Sequence, residues 1–289
     1  MIEQAQSIGF DLDGVSVVAR GGESILKAAQ RAGHDIPHLC YSDGLRADGN
    51  CRACVVEIEG ERALAPSCCR QPTEGMVVYS NNARARQSQT LVLELLKTDV
   101  GEAKFTGISE LDQWCDRLNV GPSRFASRNQ PMADVSHPAI EVNLEACIQC
   151  TRCLRACREE QANDVIGFAH RGAHVEIVFD LGDPMGESSC VGCGECVQAC
   201  PTGALMPAGG VGLEQMDRKI DSACPYCGVG CLLTYHVKDD RIRYVTGRDG
   251  PANHGRLCVK GRYGFDYVNH PQRITTPLIR RDGVAKGLN

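Results

Sequence analysis

The sequence predicts a modular α+β protein in which several small units follow one another. At 289 residues the chain exceeds one ordinary domain. Short strand and helix patterns alternate between glycine-rich turns, and the eighteen cysteines fall mainly into separate groups along the chain. Hydrophobic residues at 43% and charged residues at 23% are typical of a folded, soluble protein.

The first unit is expected over residues 1–80. Residues 8–18 predict a hairpin that turns at Asp13-Gly14, and residues 24–32 have the apolar spacing of a helix. After a cysteine loop, residues 55–59 alternate like a strand, and residues 76–79 predict another. This order predicts a small mixed sheet with a helix packed across one face.

Residues 81–138 are predicted to form a helical packing segment and a connector. Residues 81–98 have helical spacing and begin at Asn81 or Asn82, either of which can cap the helix. Residues 99–138 are rich in glycine and proline, with one short helical pattern that contains Trp114 and Cys115. Cys115 and Cys69 are expected to be packing cysteines, although Cys69 could replace its neighbour Cys68 as a ligand.

An internal repeat defines the unit over residues 139–208. Two copies of C-x2-C-x2-C-x3-C flank a strand-like segment at residues 175–179. The copies are Cys147, Cys150, Cys153 and Cys157, and then Cys190, Cys193, Cys196 and Cys200. A hinge of glycine and proline is expected at residues 207–212. The last unit, residues 217–289, contains Cys224, Cys227, Cys231 and Cys258, with two strand-like runs.

The cysteine content indicates metal binding. The start of the chain has neither the basic nor the apolar region of an export signal, so we expect a cytoplasmic protein whose thiols stay reduced. No apolar run is long enough to span a bilayer, so no membrane partner is expected. A net charge of −5 with both signs interspersed predicts no nucleic-acid partner.

Cysteine spacing reports the kind of centre. A close pair with one remote ligand on each side suits a 2Fe-2S cluster, with a zinc site as the alternative; these cysteines are Cys40, Cys51, Cys54 and Cys68. The duplicated run is typical of bacterial ferredoxins, in which the fourth cysteine of each copy ligates the other 4Fe-4S cluster. The predicted sets are Cys147, Cys150, Cys153 and Cys200, and Cys157, Cys190, Cys193 and Cys196.

The last unit supplies a further predicted 4Fe-4S set, Cys224, Cys227, Cys231 and Cys258, for which a zinc ribbon is the alternative. His137 could also be a ligand, but a lone histidine in a connector is usually ordinary structure. No G-x-S-x-G, H-E-x-x-H, P-loop or G-x-G-x-x-G pattern occurs in the sequence. We therefore predict no catalytic residue in this chain. A scaffold held only by zinc is disfavoured by the doubled ferredoxin run.

The motifs resemble the amino-terminal part of the alpha subunit of cytoplasmic NAD-dependent molybdenum or tungsten formate dehydrogenases, which is related to the large iron-sulfur subunit of respiratory complex I. The segments that carry this resemblance are residues 36–41, 49–57, 146–158, 190–205 and 258–271. The resemblance implies a β-grasp 2Fe-2S ferredoxin-like domain, a bacterial 2x(4Fe-4S) ferredoxin domain and the start of a molybdopterin oxidoreductase 4Fe-4S domain.

The resemblance also implies an electron route. Lys260 matches a lysine that lies between the last cluster and a bis-pterin guanine dinucleotide with molybdenum or tungsten. The implied partners are a flavin and NAD-binding diaphorase-type subunit with its own iron-sulfur clusters and the remainder of the pterin catalytic subunit. The alternative is an accessory electron-transfer subunit that links a hydrogenase or another reductase to a diaphorase.

Two departures from related proteins shape the expectations. Complex I and hydrogenase subunits carry an additional cluster site after the first unit, whereas residues 81–138 contain only Cys115, so we expect no cluster there. The family's catalytic subunit continues through domains that enclose the metal cofactor, and none of these is present in the sequence. The chain is therefore expected to be a fragment or a naturally split subunit.

Overall fold

The first unit is a five-stranded sheet with the strand order β2-β1-β5-β3-β4. The computed structural model describes residues 7–277 and 279. The strands are β1 (Ile8–Leu12), β2 (Val15–Ala19), β3 (Val55–Ile58), β4 (Ala65–Pro66) and β5 (Val77–Tyr79). Asp13 and Gly14 both have positive φ, at 55° and 84°, which suits the tight turn of the β1–β2 hairpin. β1 pairs in parallel with β5 and the other pairings are antiparallel, so the sheet is mixed.

Helix α1 (Ile25–Arg31) covers one face of this sheet. The Ser24 hydroxyl accepts a hydrogen bond from the Lys27 N–H at 3.2 Å, which fixes the start of the helix. Its apolar residues are fully buried among those of the strands. The predicted mixed sheet with one helix, and the β-grasp fold implied by the resemblance, are confirmed.

The helical packing segment and the helical part of the predicted connector are packed into the molecule. Helix α2 (Ala83–Leu96) is capped by the side chain of Asn82, and helix α3 (Glu110–Arg117) follows. The two helices share a core with the first unit and the repeat: Leu39, Cys40 and Ala53 come from the first unit, Leu93, Leu111, Trp114 and Cys115 from the helices, and Ile148 and Cys150 from the repeat. Hence α2 and α3 join the first two cysteine-bearing units through buried apolar surface.

The repeat unit contains two short antiparallel ladders. β6 (Ile140–Val142) pairs with β9 (Leu205–Pro207), and β7 (Ile166–Ala169) pairs with β8 (Glu176–Phe179). Helix α4 (Arg152–Arg155) and helix α5 (Glu195–Ala199) occupy corresponding places in the two copies. A π-helical turn, Ala156–Glu160, continues α4. Within the described residues, 3₁₀ turns lie at Leu144–Ala146, Gly172–His174, Met185–Glu187, Val211–Leu213 and Asp266–Asn269.

The third unit is a three-stranded antiparallel sheet of β10 (Arg218–Ala223), β11 (Leu232–Lys238) and β12 (Arg241–Gly247), followed by helix α6 (Val259–Tyr263). The glycine and proline segment expected as a hinge precedes this unit and is held at its last residue. The Gly107 N–H donates to the Gly212 carbonyl at 3.0 Å, and a Cβ atom on Gly212 would overlap the Phe105 carbonyl. Close backbone packing therefore fixes Gly212, and the hinge itself stays a prediction. Among the residues that the structure describes, no helix is long and apolar enough to cross a membrane.

Candidate metal centres

The first cysteine set surrounds the loop that follows α1. Thiol hydrogen bonds from Cys51 and Cys68 lower the pKa of Cys40, and the same contacts with Cys40 raise the pKa of those two partners. A thiol contact with Cys68 likewise lowers the pKa of Cys54. The Cys40 N–H also points at the Cys51 Sγ, at 3.4 Å. The structure thus brings all four predicted cysteines together.

Cys69 lies at the edge of this set. Its Sγ is 3.6 Å from that of Cys68, and it is exposed, so it does not pack into a core as the sequence suggested. A Cβ atom on Gly49 would lie 3.0 Å from the Cys69 Sγ, which explains why the smallest residue occupies that position. The choice between Cys68 and Cys69 as the fourth ligand stays open on this geometry.

The eight cysteines of the repeat surround two separate cavities. One cavity is lined by Cys147, Cys150, Cys153 and Cys200, and the other by Cys157, Cys190, Cys193 and Cys196. Cys200 and Cys157 have therefore each crossed to the set that begins in the other copy, which is the grouping expected from the ferredoxin pattern. That these sets bind iron stays a prediction.

Backbone N–H groups point at sulfur in both cavities. Cys147 accepts from the N–H of Gln149, and Cys150 accepts from that of Arg152. In the second copy the donors to Cys190 and Cys193 are the N–H groups of Gly192 and Glu195. Such bonds stabilise thiolates and tune an iron-sulfur cluster. The cavities, their four sulfurs and these donors therefore fit 4Fe-4S clusters.

Burial favours the protonated form of four of the cavity thiols when no metal is bound. Desolvation raises the pKa of Cys147 and Cys150 from 9.0 to about 12. Burial also raises the pKa of Cys153 and Cys196. Because a metal binds the thiolate form, metal uptake must displace these protons.

The third set is more open to solvent. Burial raises the pKa of the Cys231 thiol, and the neighbouring thiols of Cys224, Cys227 and Cys258 raise it further. The four sulfurs therefore lie near one another. Cys227 and Cys258 are exposed, and Cys258 directly precedes α6. Lys260 is exposed on that helix. Over residues 7–277 and 279, no three His, Cys, Asp or Glu side chains form a group that could hold a single metal ion.

Two further residues considered in the sequence analysis, His137 and Cys115, have structural roles. The His137 Nδ1 accepts the N–H groups of Ala139 and Ile140, at 3.1 and 3.2 Å, and burial lowers the pKa of this histidine. Those bonds are an ordinary structural role. Cys115 lies buried beside Trp114 in the core formed by α2 and α3, as expected of a packing cysteine.

Sequence reasoning missed buried charged residues around the cavities. Arg152, Arg155, Glu195 and Arg262 are all at most 5% exposed. The Arg155 guanidinium donates to the Cys40 carbonyl at 2.5 Å and to the Cys150 carbonyl at 3.3 Å, and Arg262 donates to the Cys193 carbonyl at 2.9 Å. The sequence signal for them was the alternation of arginine and cysteine over residues 150–155. In so short a helix, this alternation leaves no face that can be fully exposed.

The fold and the cysteine sites define an iron-sulfur protein with three cluster-binding domains. Residues 5–83 match the 2Fe-2S iron-sulfur cluster binding domain family. Residues 137–206 match the ferredoxin-like domain of NADH-quinone oxidoreductase subunit 3, and residues 217–270 match the molybdopterin oxidoreductase Fe4S4 domain. The chain therefore contains these three iron-sulfur domain types in the order that the sequence predicted.

Individual relatives cover almost the whole chain. It is 34% identical to a G-type NADH-quinone oxidoreductase subunit of Rhizobium meliloti, over 96% of this chain and 33% of that protein. It is 29% identical to the NADPH-Fe(3+) oxidoreductase subunit alpha of Geobacter sulfurreducens, over 94% and 33%. A protein provisionally named formate dehydrogenase in Staphylococcus haemolyticus is 28% identical, over 94% and 32%. The chain thus spans about a third of the length of the curated relatives it matches.

A solved structure shares the arrangement. A chain in the crystal structure of NAD+-reducing [NiFe]-hydrogenase in the H2-reduced state superposes with a TM-score of 0.65 at 26% identity. The match covers 70% of this chain and 88% of that chain. The fold of the present protein is therefore shared with a chain of a hydrogenase structure as well as with oxidoreductase subunits.

Proposed function

We propose that this chain is the iron-sulfur electron-transfer segment of a cytoplasmic NAD-dependent formate dehydrogenase. It would relay electrons between a molybdenum or tungsten pterin site and a flavin and NAD subunit, in formate oxidation or carbon dioxide reduction. The observation that carries the proposal is the two cysteine-lined cavities, whose cysteines come in the sequence between those of the first set and those of the third. The molybdopterin oxidoreductase Fe4S4 domain supports the pterin end.

The proposed ligands are the sixteen cysteines of the four sets. The 2Fe-2S cluster would be held by Cys40, Cys51, Cys54 and Cys68; the 4Fe-4S clusters by Cys147, Cys150, Cys153 and Cys200, by Cys157, Cys190, Cys193 and Cys196, and by Cys224, Cys227, Cys231 and Cys258. When bound, such clusters supply one-electron oxidation and reduction. The chain's own residues bury the sites and donate N–H groups to their sulfurs.

Contacts between the units support a serial order of sites. The first cavity adjoins the first unit, because the Asn50 side chain donates to the Gln149 carbonyl at 2.8 Å. The second adjoins the third unit, because Arg262 of α6 donates to the Cys193 carbonyl. The order supported is the set that ends at Cys258, then the second cavity, then the first, then the Cys40 set.

The exposed face of the third unit suits contact with a pterin-binding part of the proposed enzyme. Cys258, Val259 and Lys260 are exposed next to one another, with Tyr226 and Val229 exposed in the cysteine loop. Apolar surface of this kind marks an interaction site. An ammonium group at Lys260 would stabilise negative charge on a cluster or pterin beside it, which is the electron-relay role proposed for this residue.

The alternative is an accessory subunit that links a hydrogenase or another reductase to a diaphorase. The likeness to a chain of the NAD+-reducing hydrogenase structure favours it. Such a subunit needs neither the third cysteine set nor Lys260. The two proposals therefore differ in whether the third unit holds a cluster and which substrate reduces it.

The first experiment measures iron, acid-labile sulfide and zinc on anaerobically purified protein, with EPR after stepwise reduction. About fourteen irons, from one two-iron and three four-iron clusters, support the proposal. Cys68→Ser should lose the 2Fe-2S signal while the neighbouring control Cys69→Ser keeps it, and the reverse result would make Cys69 the ligand. Zinc in place of iron would overturn electron transfer.

The second part uses the whole complex purified from its host. Formate should reduce the clusters in an oxidant-free sample, and Cys224→Ser should block that reduction while the buried non-ligand control Cys115→Ser leaves it intact. Reduction by hydrogen but not by formate would favour the accessory subunit.

A further inference from the structure

Arg155 occupies an unusual place between two of the proposed sites. It belongs to α4, only 1% of it is exposed, and its guanidinium donates to the carbonyl of Cys40 and to that of Cys150. It also donates to the Arg46 carbonyl, in the loop that carries the first cysteine set. One planar cation therefore holds the Cys40 loop against the wall of the first cavity.

The charge on Arg155 is not matched by a close carboxylate. Its Nε lies 4.0 Å from an Asp48 oxygen, and that carboxylate also accepts from Thr151 and pairs with Arg46. By contrast, the buried Arg152 lies 2.7 Å from the Glu110 carboxylate. A guanidinium stays charged when buried, so Arg155 adds a largely uncompensated positive charge between the two cysteine sets.

We propose that Arg155 is a positioning residue that fixes the Cys40 loop against Cys150 and raises the reduction potentials of both the 2Fe-2S cluster and the adjacent 4Fe-4S cluster. This inference rests on the proposed cluster ligation. The physical reason is that reduction adds negative charge to a cluster, and a nearby buried cation stabilises that charge. The effect is shared because the same guanidinium contacts a ligand residue of each site.

The planar guanidinium of arginine is needed to hold the two loops in position. A lysine at this position keeps the charge but offers a single point donor, so it cannot bind carbonyls of both loops in the same fixed geometry. A glutamine keeps a polar side chain but removes the charge. Comparing the two variants therefore separates the effect of the charge on the reduction potentials from the effect of the side-chain geometry on the two loops.

The test uses the full chain with its clusters, in EPR-monitored redox titrations of wild type, Arg155→Gln and Arg155→Lys. For Arg155→Gln we expect the ratio of reduced to oxidised 2Fe-2S cluster at a fixed potential to fall about tenfold, which is 59 mV for one electron. The 4Fe-4S signal of the first cavity should shift in the same direction. Arg155→Lys should keep the potentials close to wild type but weaken the spin coupling between the two reduced clusters.

Two control variants test whether the expected shift in potential is specific to Arg155. Arg158→Gln removes a positive charge from the next turn of the same segment, where the exposed side chain pairs with Asp164, and solvent screening should leave the potentials unchanged. Arg262→Gln acts beside Cys193 and should shift the second cavity rather than the Cys40 set. Unchanged potentials in Arg155→Gln, or equal shifts in all clusters, would overturn the inference.

Iron and acid-labile sulfide content shows whether a variant has lost a cluster. If Arg155→Gln loses the 2Fe-2S cluster, the 4Fe-4S cluster of the first cavity, which has its own four cysteines, still tests the inference. A purely structural role predicts an unchanged potential for that cluster, whereas the proposed role predicts a lower one. A wild-type protein without clusters would instead refute the proposed function, so the two failures are distinguishable.

Discussion

The two copies of the cysteine repeat have the same cysteine spacing and a similar backbone around the second cysteine, but different side chains between the cysteines. The residues on either side of the second cysteine have positive φ in both copies, 53° and 65° at Gln149 and Thr151 and 65° and 74° at Gly192 and Gly194. Glycine adopts this conformation freely, whereas for other residues it costs about 1–2 kcal/mol. The first copy accepts that strain where the second avoids it.

The neighbours explain the difference. In the first copy the Gln149 amide donates to the Val175 carbonyl at 2.9 Å, and the Thr151 hydroxyl donates to Asp48 of the first unit at 3.0 Å. In the second copy a Cβ atom on Gly194 would overlap Arg262 of α6. One copy uses side chains to reach its neighbour, and the other leaves room for its neighbour to approach.

The buried charges differ in the same way. Arg152 and Glu195 occupy equivalent positions, two residues after the second cysteine of each copy. Arg152 pairs with Glu110 of α3, whereas Glu195 receives Arg262 from the third unit. The first copy thus carries its own cation, and the second obtains its cation from the domain that follows. A duplicated motif can keep its metal-binding geometry while each copy adapts to a different neighbour.

The largest expected effect comes from removing Arg262, the cation that the third unit supplies to the second copy. Arg262→Ala removes the closer of the two arginine partners of the buried Glu195, whose other partner, Arg256, lies 3.5 Å away, and should destabilise the protein by about 3–4 kcal/mol, measured by denaturant unfolding of the purified chain. The matched control is Arg243→Ala, which breaks the more exposed pair with Glu214 and should cost about 1 kcal/mol or less. Equal losses in the two variants would show that the second copy does not depend on Arg262.

The next effect tests the space beside the second cysteine. Gly194→Ala should cost about 2–4 kcal/mol, since it combines left-handed strain with overlap against Arg262. Gly192→Ala has a similar φ, but the nearest atom, on Val259, would be 3.6 Å away, so about 1 kcal/mol is expected. Thermal unfolding of both variants measures the difference. Indistinguishable values would mean that backbone strain alone selects glycine here.

A smaller effect should appear in acid, in the domain that supplies Arg262. Burial lowers the pKa of His236 from 6.5 to about 4. Protonation therefore favours the unfolded state, so the stability that His236 contributes is complete above pH 6.5 and is lost as the pH falls through 4. We expect a loss of about 1–3 kcal/mol over this window, measured by unfolding at each pH.

His236→Gln supplies the control for the acid effect, since glutamine does not titrate and can still bond Thr246, which lies 2.9 Å from the histidine Nε2. The variant should flatten the pH dependence between 6.5 and 4. Acid should also expose the second cavity before the first, detected as earlier loss of one 4Fe-4S signal. Simultaneous loss of both would remove the distinction between the copies.

Local sequence patterns predicted the grouping of the cysteines, the domain order and the elements of the first unit, and the fold confirms the last two. Metal-binding spacing is local, so residues 147–157 and 190–200 specify their loops wherever they lie. The β1–β2 turn and α1 followed from equally local signals at Asp13, Gly14 and Ser24. Such signals involve residues within a few positions of one another.

How the units join became visible only in the folded chain. Folding packs α3 of the expected connector and Gly212 of the expected hinge against the rest of the molecule, and it places Arg155 against Cys40, 115 residues away. It also paired Glu195 with Arg262, 67 residues apart. Nothing in the spacing of a charged residue reveals a partner so distant, because burial of charge becomes favourable only when folding brings its counter-ion or carbonyl acceptors within hydrogen-bond reach.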